Sequence, residues 1–195
     1  MDIIYGEPRT GSHFIARHLA NKNNNHFLGE YFKVPIPNAV TDIKQKVKAL
    51  PNNATIIVHP DLAYGYYNDE FYDWLFSHKL HVVETNDRWR QHISWGFASQ
   101  TALYHNYRSI NLDKKIIYKR KFFDNLLNSV KKFNETKHRI QYKSKWLLQD
   151  IPNINANFGK YKLTEKTYLQ NTEQLFEHFI NKNDVEQWYK ELPSI

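Results

Sequence analysis

Three short apolar runs constrain the fold of this chain more than any other feature, and they lie at residues 2–5, 54–58 and 80–84. Each run is rich in β-branched residues, as buried strands of a parallel sheet are. Each is followed by a helical pattern, over residues 11–21, 68–77 and 87–107. Because strands that alternate with helices form parallel sheets, the sequence predicts an α/β fold in three layers, with a central parallel sheet flanked by helices.

The rest of the chain reads mainly as helix. One further helix is predicted over residues 40–50, since the residue before Pro51 is biased away from helical geometry. From residue 114 onward the clearest segments are helical, over residues 122–133 and 172–192. With 195 residues the chain is long enough for a sizeable core, and we interpret it as one domain.

Composition excludes several classes of protein. The absence of cysteine excludes disulfides, thiolate catalysis and cysteine-based zinc sites. No apolar run approaches the roughly 20 residues that a membrane span needs, so we do not expect an integral membrane protein. The first strand begins at the second or third residue and leaves no room for a leader, which predicts a cytoplasmic protein.

The net charge of +7 fits a polyanionic ligand but does not identify one. Lysines and arginines are spread along the chain among acidic residues, and the compact basic runs are residues 114–115 and 119–121. Such runs are more often solvated helix faces than nucleic-acid contacts. With no recognisable reading helix or stacking platform, a nucleic-acid partner is not expected.

The loop after the first apolar run reads Gly6-Glu-Pro-Arg-Thr-Gly-Ser-His13. Its glycines are spaced as in nucleoside-triphosphate P-loops, where a following lysine reaches the phosphates and a hydroxyl holds magnesium. Here Ser12 and His13 stand at those positions, which disfavours a magnesium-assisted NTPase. What remains is an anion cradle at a helix N-terminus, with Arg9 as its fixed charge and hydroxyls at Thr10 and Ser12. A tight turn with a surface arginine is the alternative, and the loop alone does not decide between them.

Residues 8–12 resemble the 5′-phosphosulfate loop of sulfotransferases that use 3′-phosphoadenosine 5′-phosphosulfate (PAPS). Three further stretches match that family in the right order. Residues 29–32, Gly-Glu-Tyr-Phe, resemble a segment of the bacterial carbohydrate and glycolipid sulfotransferases, and residues 58–60, Val-His-Pro, resemble a strand end of the cytosolic sulfotransferases. Residues 87–105 resemble the helix that binds the 3′-phosphate in the bacterial group.

The resemblance implies a P-loop-like fold, PAPS as co-substrate and a role for each matched residue. Residues 1–107 would form the nucleotide-binding core, and residues 108–195 a helical part on the acceptor side. The 5′-phosphosulfate would be held by Arg9, Thr10, Gly11, Ser12 and His13. The 3′-phosphate would be held by Arg88, Arg90 and Ser94, with the two arginines replacing a family arginine where this chain has Thr85-Asn86.

The catalytic base is predicted to be Glu30 or His59, with Arg9 stabilising the charge that develops on the leaving group. The acceptor would be a hydroxyl of a glycan, a lipid or a small molecule. No metal site is expected, because His26, His78, His92 and His105 lack metal-ligand spacing with carboxylates. A protein of the same fold that binds a nucleotide without turnover stays open as the alternative.

Overall fold

The computed structural model describes residues 1–32, 43–60, 69–101, 115–148 and 172–194. Its centre is a five-stranded sheet in which every pairing is parallel, in the order β2-β3-β1-β4-β5. The strands are β1 (Asp2–Gly6), β2 (His26–Gly29), β3 (Ala54–Val58), β4 (Lys79–Glu84) and β5 (Gln141–Leu147). The predicted parallel sheet is confirmed, and the three apolar runs form its three inner strands.

Helices connect the strands on both faces of the sheet. They are α1 (Ser12–Asn23), α2 (Ile43–Lys48), α3 (Asp69–Phe76), α4 (Arg88–Thr101), α5 (Arg120–Thr136), α6 (Thr172–Phe176) and α7 (Lys182–Tyr189). A short 3-10 turn, Lys137–Arg139, joins α5 to β5. The predicted continuation of α4 to residue 107 and the start of α2 at residue 40 lie outside the described residues, as does the neighbourhood of Tyr104 and His105.

Strand β1 divides the core into two layers because successive side chains point to opposite faces. Ile4 packs with Phe14 and Ile15 of α1 on one face. Ile3 and Tyr5 pack on the other face, in a cluster that includes residues of α3 and α5. The α/β arrangement in three layers is thereby confirmed.

A third apolar cluster is built from helices of the C-terminal half and α4. Its fully buried members include Ile93, Tyr118, Phe123, Leu126 and Val185. The helix α4 therefore has two roles, since its N-terminal turn borders the sheet edge and its body belongs to this helical cluster. In the described residues no helix is long and apolar enough to cross a membrane.

Asp2, at the amino end of the central strand β1, forms a buried polar anchor. Its carboxylate accepts hydrogen bonds from Asn23, Asn25 and Lys143, and His81 Nε2 lies 3.1 Å from it. Burial alone would raise the pKa of Asp2, but the bonds from Lys143, Asn23 and His81 lower this pKa to about 2. The network fixes the position of the start of β1.

The buried His92 predicts a pH-dependent stability. Burial lowers the pKa of His92 from its ordinary value of 6.5 to about 4, although the bond from Nε2 to Val185 O acts in the opposite direction. The unfolded chain therefore binds a proton at this residue as the pH falls below 6.5, and the folded chain does not until about pH 4. The free energy of unfolding should fall by about 3 kcal/mol over that range.

Urea unfolding at several pH values between about 7 and about 4.5 measures this effect. In His92→Gln the amide can still donate to Val185 O but does not titrate. The pH dependence of its unfolding free energy should be shallower than that of the wild type. Equal slopes in the two proteins would show that His92 is not the titrating group.

Candidate active site

The loop between β1 and α1 is held in an unusual backbone conformation. Arg9 has a φ of 65° and Gly11 a φ of 85°, both in the left-handed region. This region costs a non-glycine residue about 1–2 kcal/mol, so Arg9 is a strained position of the kind found at functional sites. The Thr10 hydroxyl donates to Glu7 O at 2.8 Å and closes the turn. No side chain caps α1 at Gly11, so the positive end of this helix borders the loop directly.

Buried polar residues hold the loop from beneath. Arg88 Nη1 donates to the Glu7 carboxylate and, at 2.8 Å, to Gln91 Oε1. Gln91 Nε2 in turn donates to Glu7 Oε2 at 3.1 Å and to Pro8 O at 2.8 Å. These bonds tie the first turn of α4 to the loop, so the two phosphate-binding segments that the sequence predicts form one rigid unit. The sequence predicts no role for Glu7, because no motif spacing links it to Arg88, which lies far along the chain.

Arg9 extends from the loop to α4 and is half-buried. Its Nε donates to Ser94 Oγ at 2.8 Å. The structure therefore brings together two residues that the sequence assigns to the two ends of one nucleotide. Arg90 is half-buried one turn before Ser94 on α4.

The start of α4 is fixed by two local bonds. The Asp87 carboxylate accepts from the backbone N–H of Arg90 at 2.8 Å, and Asp87 N–H donates to Thr85 Oγ1 at 3.1 Å. Asp87 thus caps the N-terminus of α4. The Thr85 hydroxyl, at a position where the family resemblance leads one to expect an arginine, serves this cap.

His59 lies directly after β3 and is almost fully buried, with 6% of its surface exposed. Its Nδ1 is 2.7 Å from Gly6 O. A carbonyl oxygen only accepts hydrogen bonds, so Nδ1 carries the hydrogen, and in the neutral ring Nε2 is the basic atom. That Nε2 faces Ser12 Oγ at 3.5 Å and Glu30 Oε1 at 3.6 Å.

Glu30 follows β2 and lies between two histidines. Its Oε1 is 3.6 Å from His59 Nε2 and 3.9 Å from His13 Nε2. His13 belongs to the first turn of α1, and its ring packs edge-on to Phe27 of β2. Strands β1, β2 and β3 are parallel, so the residues after their carboxyl ends meet at one edge of the sheet, where open α/β sheets bind ligands. The predicted candidates Arg9, Ser12 and Ser94, together with His13, Glu30 and His59, gather there.

The aromatic residues near the site pack into the protein. Trp95 Nε1 donates to Phe122 O at 2.6 Å, and Trp89 stacks edge-on with Phe176 and Tyr189. Phe32, from the stretch that carries the resemblance at Glu30, is 4% exposed and belongs to the core on the α3 face. These contacts anchor α4 and the segment after β2, which position the candidate site residues.

No family model matches the sequence, and no curated protein matches it. One solved structure to which the chain is similar is a crystal structure of retinol dehydratase in a complex with retinol and PAP. The two chains are 17% identical, the match covers 97% of this chain and 69% of that chain, and the TM-score is 0.41.

Proposed function

We propose that this chain is a PAPS-dependent sulfotransferase that moves the sulfuryl group to a hydroxyl of a carbohydrate, a glycolipid or a small molecule. The observation that carries the proposal is the hydrogen bond between Arg9 and Ser94, at the sheet edge that also holds His59 and Glu30. This edge combines a positively charged anion cradle with a pair of proton acceptors. Transfer of a charged group from a phosphate donor to a hydroxyl needs both.

The 5′-phosphosulfate would lie over the loop after β1. The N–H groups at the start of α1, the Ser12 hydroxyl and the Arg9 guanidinium would surround its oxygens. The contribution of Thr10 is mainly to hold the loop, because its hydroxyl is buried and bonded to Glu7 O. The strained Arg9 backbone would then serve to direct the side chain along the loop.

The 3′-phosphate would lie against the first turns of α4. Arg90 and Ser94 share one helix face and are the residues we assign to it. Arg88 is 7% exposed and its guanidinium is engaged by the Glu7 carboxylate, so we assign it to positioning the loop. Arg88 would therefore hold the loop in place, and Arg9 and Arg90 would contact the nucleotide.

In the reaction, the acceptor oxygen attacks sulfur and the bond from sulfur to the 5′-phosphate oxygen breaks in line. The acceptor proton passes to the Glu30–His59 pair, with His59 Nε2 or a Glu30 oxygen as the receiving atom. The bond from His59 Nδ1 to Gly6 O fixes the orientation of the ring, and the Glu30 carboxylate stabilises the imidazolium if His59 receives the proton. Arg9 and the loop N–H groups stabilise the charge that develops on adenosine 3′,5′-bisphosphate, the leaving group.

A nucleotide-binding protein without turnover is the second candidate. Two residues favour it, because neither supplies a guanidinium to the 3′-phosphate as the family arginine would. The Thr85 hydroxyl accepts from the Asp87 N–H at the start of α4, and the Arg88 guanidinium donates to the Glu7 carboxylate. Such a protein would keep the anion cradle and would not transfer the sulfuryl group.

Two measurements on the full chain test the proposal. Calorimetric titration should show that adenosine 3′,5′-bisphosphate binds at least about tenfold more tightly than adenosine 5′-phosphate, since the 3′-phosphate adds charge-assisted bonds. Arg90→Ala should remove most of that preference. Radiolabelled PAPS should then transfer its label to a hydroxyl acceptor from a panel of glycans, glycolipids and simple alcohols. Equal affinity for the two nucleotides would contradict the donor site, and binding without transfer would favour the second candidate.

A further inference from the structure

Three side chains at the candidate site converge on a common point from distant parts of the sequence. They are His13 of α1, Glu30 after β2 and His59 after β3. One ligand atom from each lies within 4.8 Å of the other two. Two imidazoles and a carboxylate are a ligand set that binds zinc and other divalent transition metals.

The Glu30 carboxylate and the electron pairs of the two imidazoles suit a cation at the centre of this group. The bond from His59 Nδ1 to Gly6 O makes Nε2 the acceptor atom of the neutral ring, and this atom faces the Glu30 carboxylate at 3.6 Å. A cation beside these two atoms would be attracted by the carboxylate and would take the electron pair of Nε2, which also lies 3.5 Å from Ser12 Oγ. His13 Nε2, 3.9 Å from the same Glu30 oxygen, supplies a third donor of electron pairs.

The geometry is close to that of a zinc site. Ligand atoms about 2.0–2.1 Å from Zn²⁺ in a tetrahedron lie about 3.3–3.4 Å from one another. The separations of 3.6 and 3.9 Å from Glu30 are longer than this, and the two histidine atoms lie within 4.8 Å of each other, so the three side chains would close in on a bound ion. His59 also has the outer partner that metal-bound histidines have, because its other ring nitrogen donates to the Gly6 carbonyl.

We propose that His13, Glu30 and His59 bind one divalent transition-metal ion, of which Zn²⁺ is the best fit. Three protein ligands leave a fourth position for water or a substrate oxygen. If the chain is a sulfotransferase as proposed above, the bound ion occupies the electron pairs of both candidate bases. Zn²⁺ then inhibits sulfuryl transfer, and chelation restores it.

Titration of the metal-free full chain with Zn²⁺, without nucleotide, tests the site. The wild type should bind one Zn²⁺ per chain, and Co²⁺ at the same site should give the visible absorption of a low-coordinate nitrogen and oxygen site. His13→Ala and Glu30→Gln should each weaken binding by about 100-fold, since even loss of an outer-shell partner costs about 10–100-fold. His26→Ala is the matched control, because His26 lies at the start of the same strand, β2, but is exposed and outside the cluster.

Circular dichroism establishes that each variant is folded, and His13 is partly exposed on α1, so its removal is compatible with folding. Absence of binding to the wild type at micromolar Zn²⁺ would overturn the proposal, as would equal binding by His13→Ala and the wild type. The proposed metal site and the proposed transferase activity can be contradicted independently of each other. Zn²⁺ binding without any transfer by the metal-free protein would contradict only the proposed function, and transfer without Zn²⁺ binding would contradict only the metal site.

Discussion

Arg9→Ala is expected to lower the turnover of sulfuryl transfer by about 100- to 1,000-fold, the usual effect of removing one group that stabilises developing negative charge. Arg9 is the fixed positive charge within the loop, and its Nε donates to Ser94 of α4. Without it, the phosphate that leaves with the nucleotide is met only by N–H groups and hydroxyls. Initial rates at saturating PAPS measure the effect on turnover.

Two further variants show whether the effect belongs to the side chain. Arg9→Gly relieves the left-handed backbone strain, so it should be at least as stable as the wild type and equally impaired in transfer. Arg139→Ala removes the same charge from a surface site where Arg139 pairs with Asp73, and it should retain full activity. An Arg9→Ala protein with wild-type turnover would contradict the assigned role of the loop.

Glu30→Gln is expected to lower turnover by about 100- to 10,000-fold, the range for loss of a general base, and to leave nucleotide binding unchanged. The amide is nearly isosteric with the carboxylate, but it neither accepts a proton nor stabilises an imidazolium at His59. Because Glu30 Oε1 lies 3.6 Å from His59 Nε2, the two residues should act as a unit. Turnover of Glu30→Gln, His59→Gln and the double variant measures that coupling, and the double variant should be little slower than either single variant.

Glu135→Gln is the matched control for the loss of a carboxylate, since Glu135 is exposed on α5 and far along the chain from the site. It should retain the wild-type rate. Full activity of Glu30→Gln together with a large loss in His59→Gln would make His59 the sole base. Full activity of both variants would contradict the assignment of the base to this pair.

The inner strands of the sheet could be predicted because burial on both faces leaves a clear pattern. Strands β1, β3 and β4 are apolar and β-branched, and their residues are almost all buried. The outer strands β2 and β5 were not predicted. β2 has only four residues, and many side chains of β5 are exposed, so neither is a continuous apolar run. The pattern of a strand weakens at the edge of a sheet, where one side faces solvent.

The site could be predicted in part for the same reason. The loop after β1 and His59 follow strands that the sequence identifies, and parallel strands bring their carboxyl ends together. The bond between Arg88 and Glu7 could not be foreseen, because burial beneath the loop is a property of the folded chain. The approach of His13 to Glu30 depends on β2, the short strand without a clear pattern.

A crystal structure of the protein with adenosine 3′,5′-bisphosphate would show whether the loop after β1 binds the nucleotide. We expect the 5′-phosphate to lie over residues 8–13, within hydrogen-bonding distance of Arg9 and the N–H groups of α1. We also expect the 3′-phosphate to contact Arg90 and Ser94. A nucleotide bound elsewhere, with the Arg9–Ser94 contact unchanged and no phosphate over the loop, would contradict this assignment.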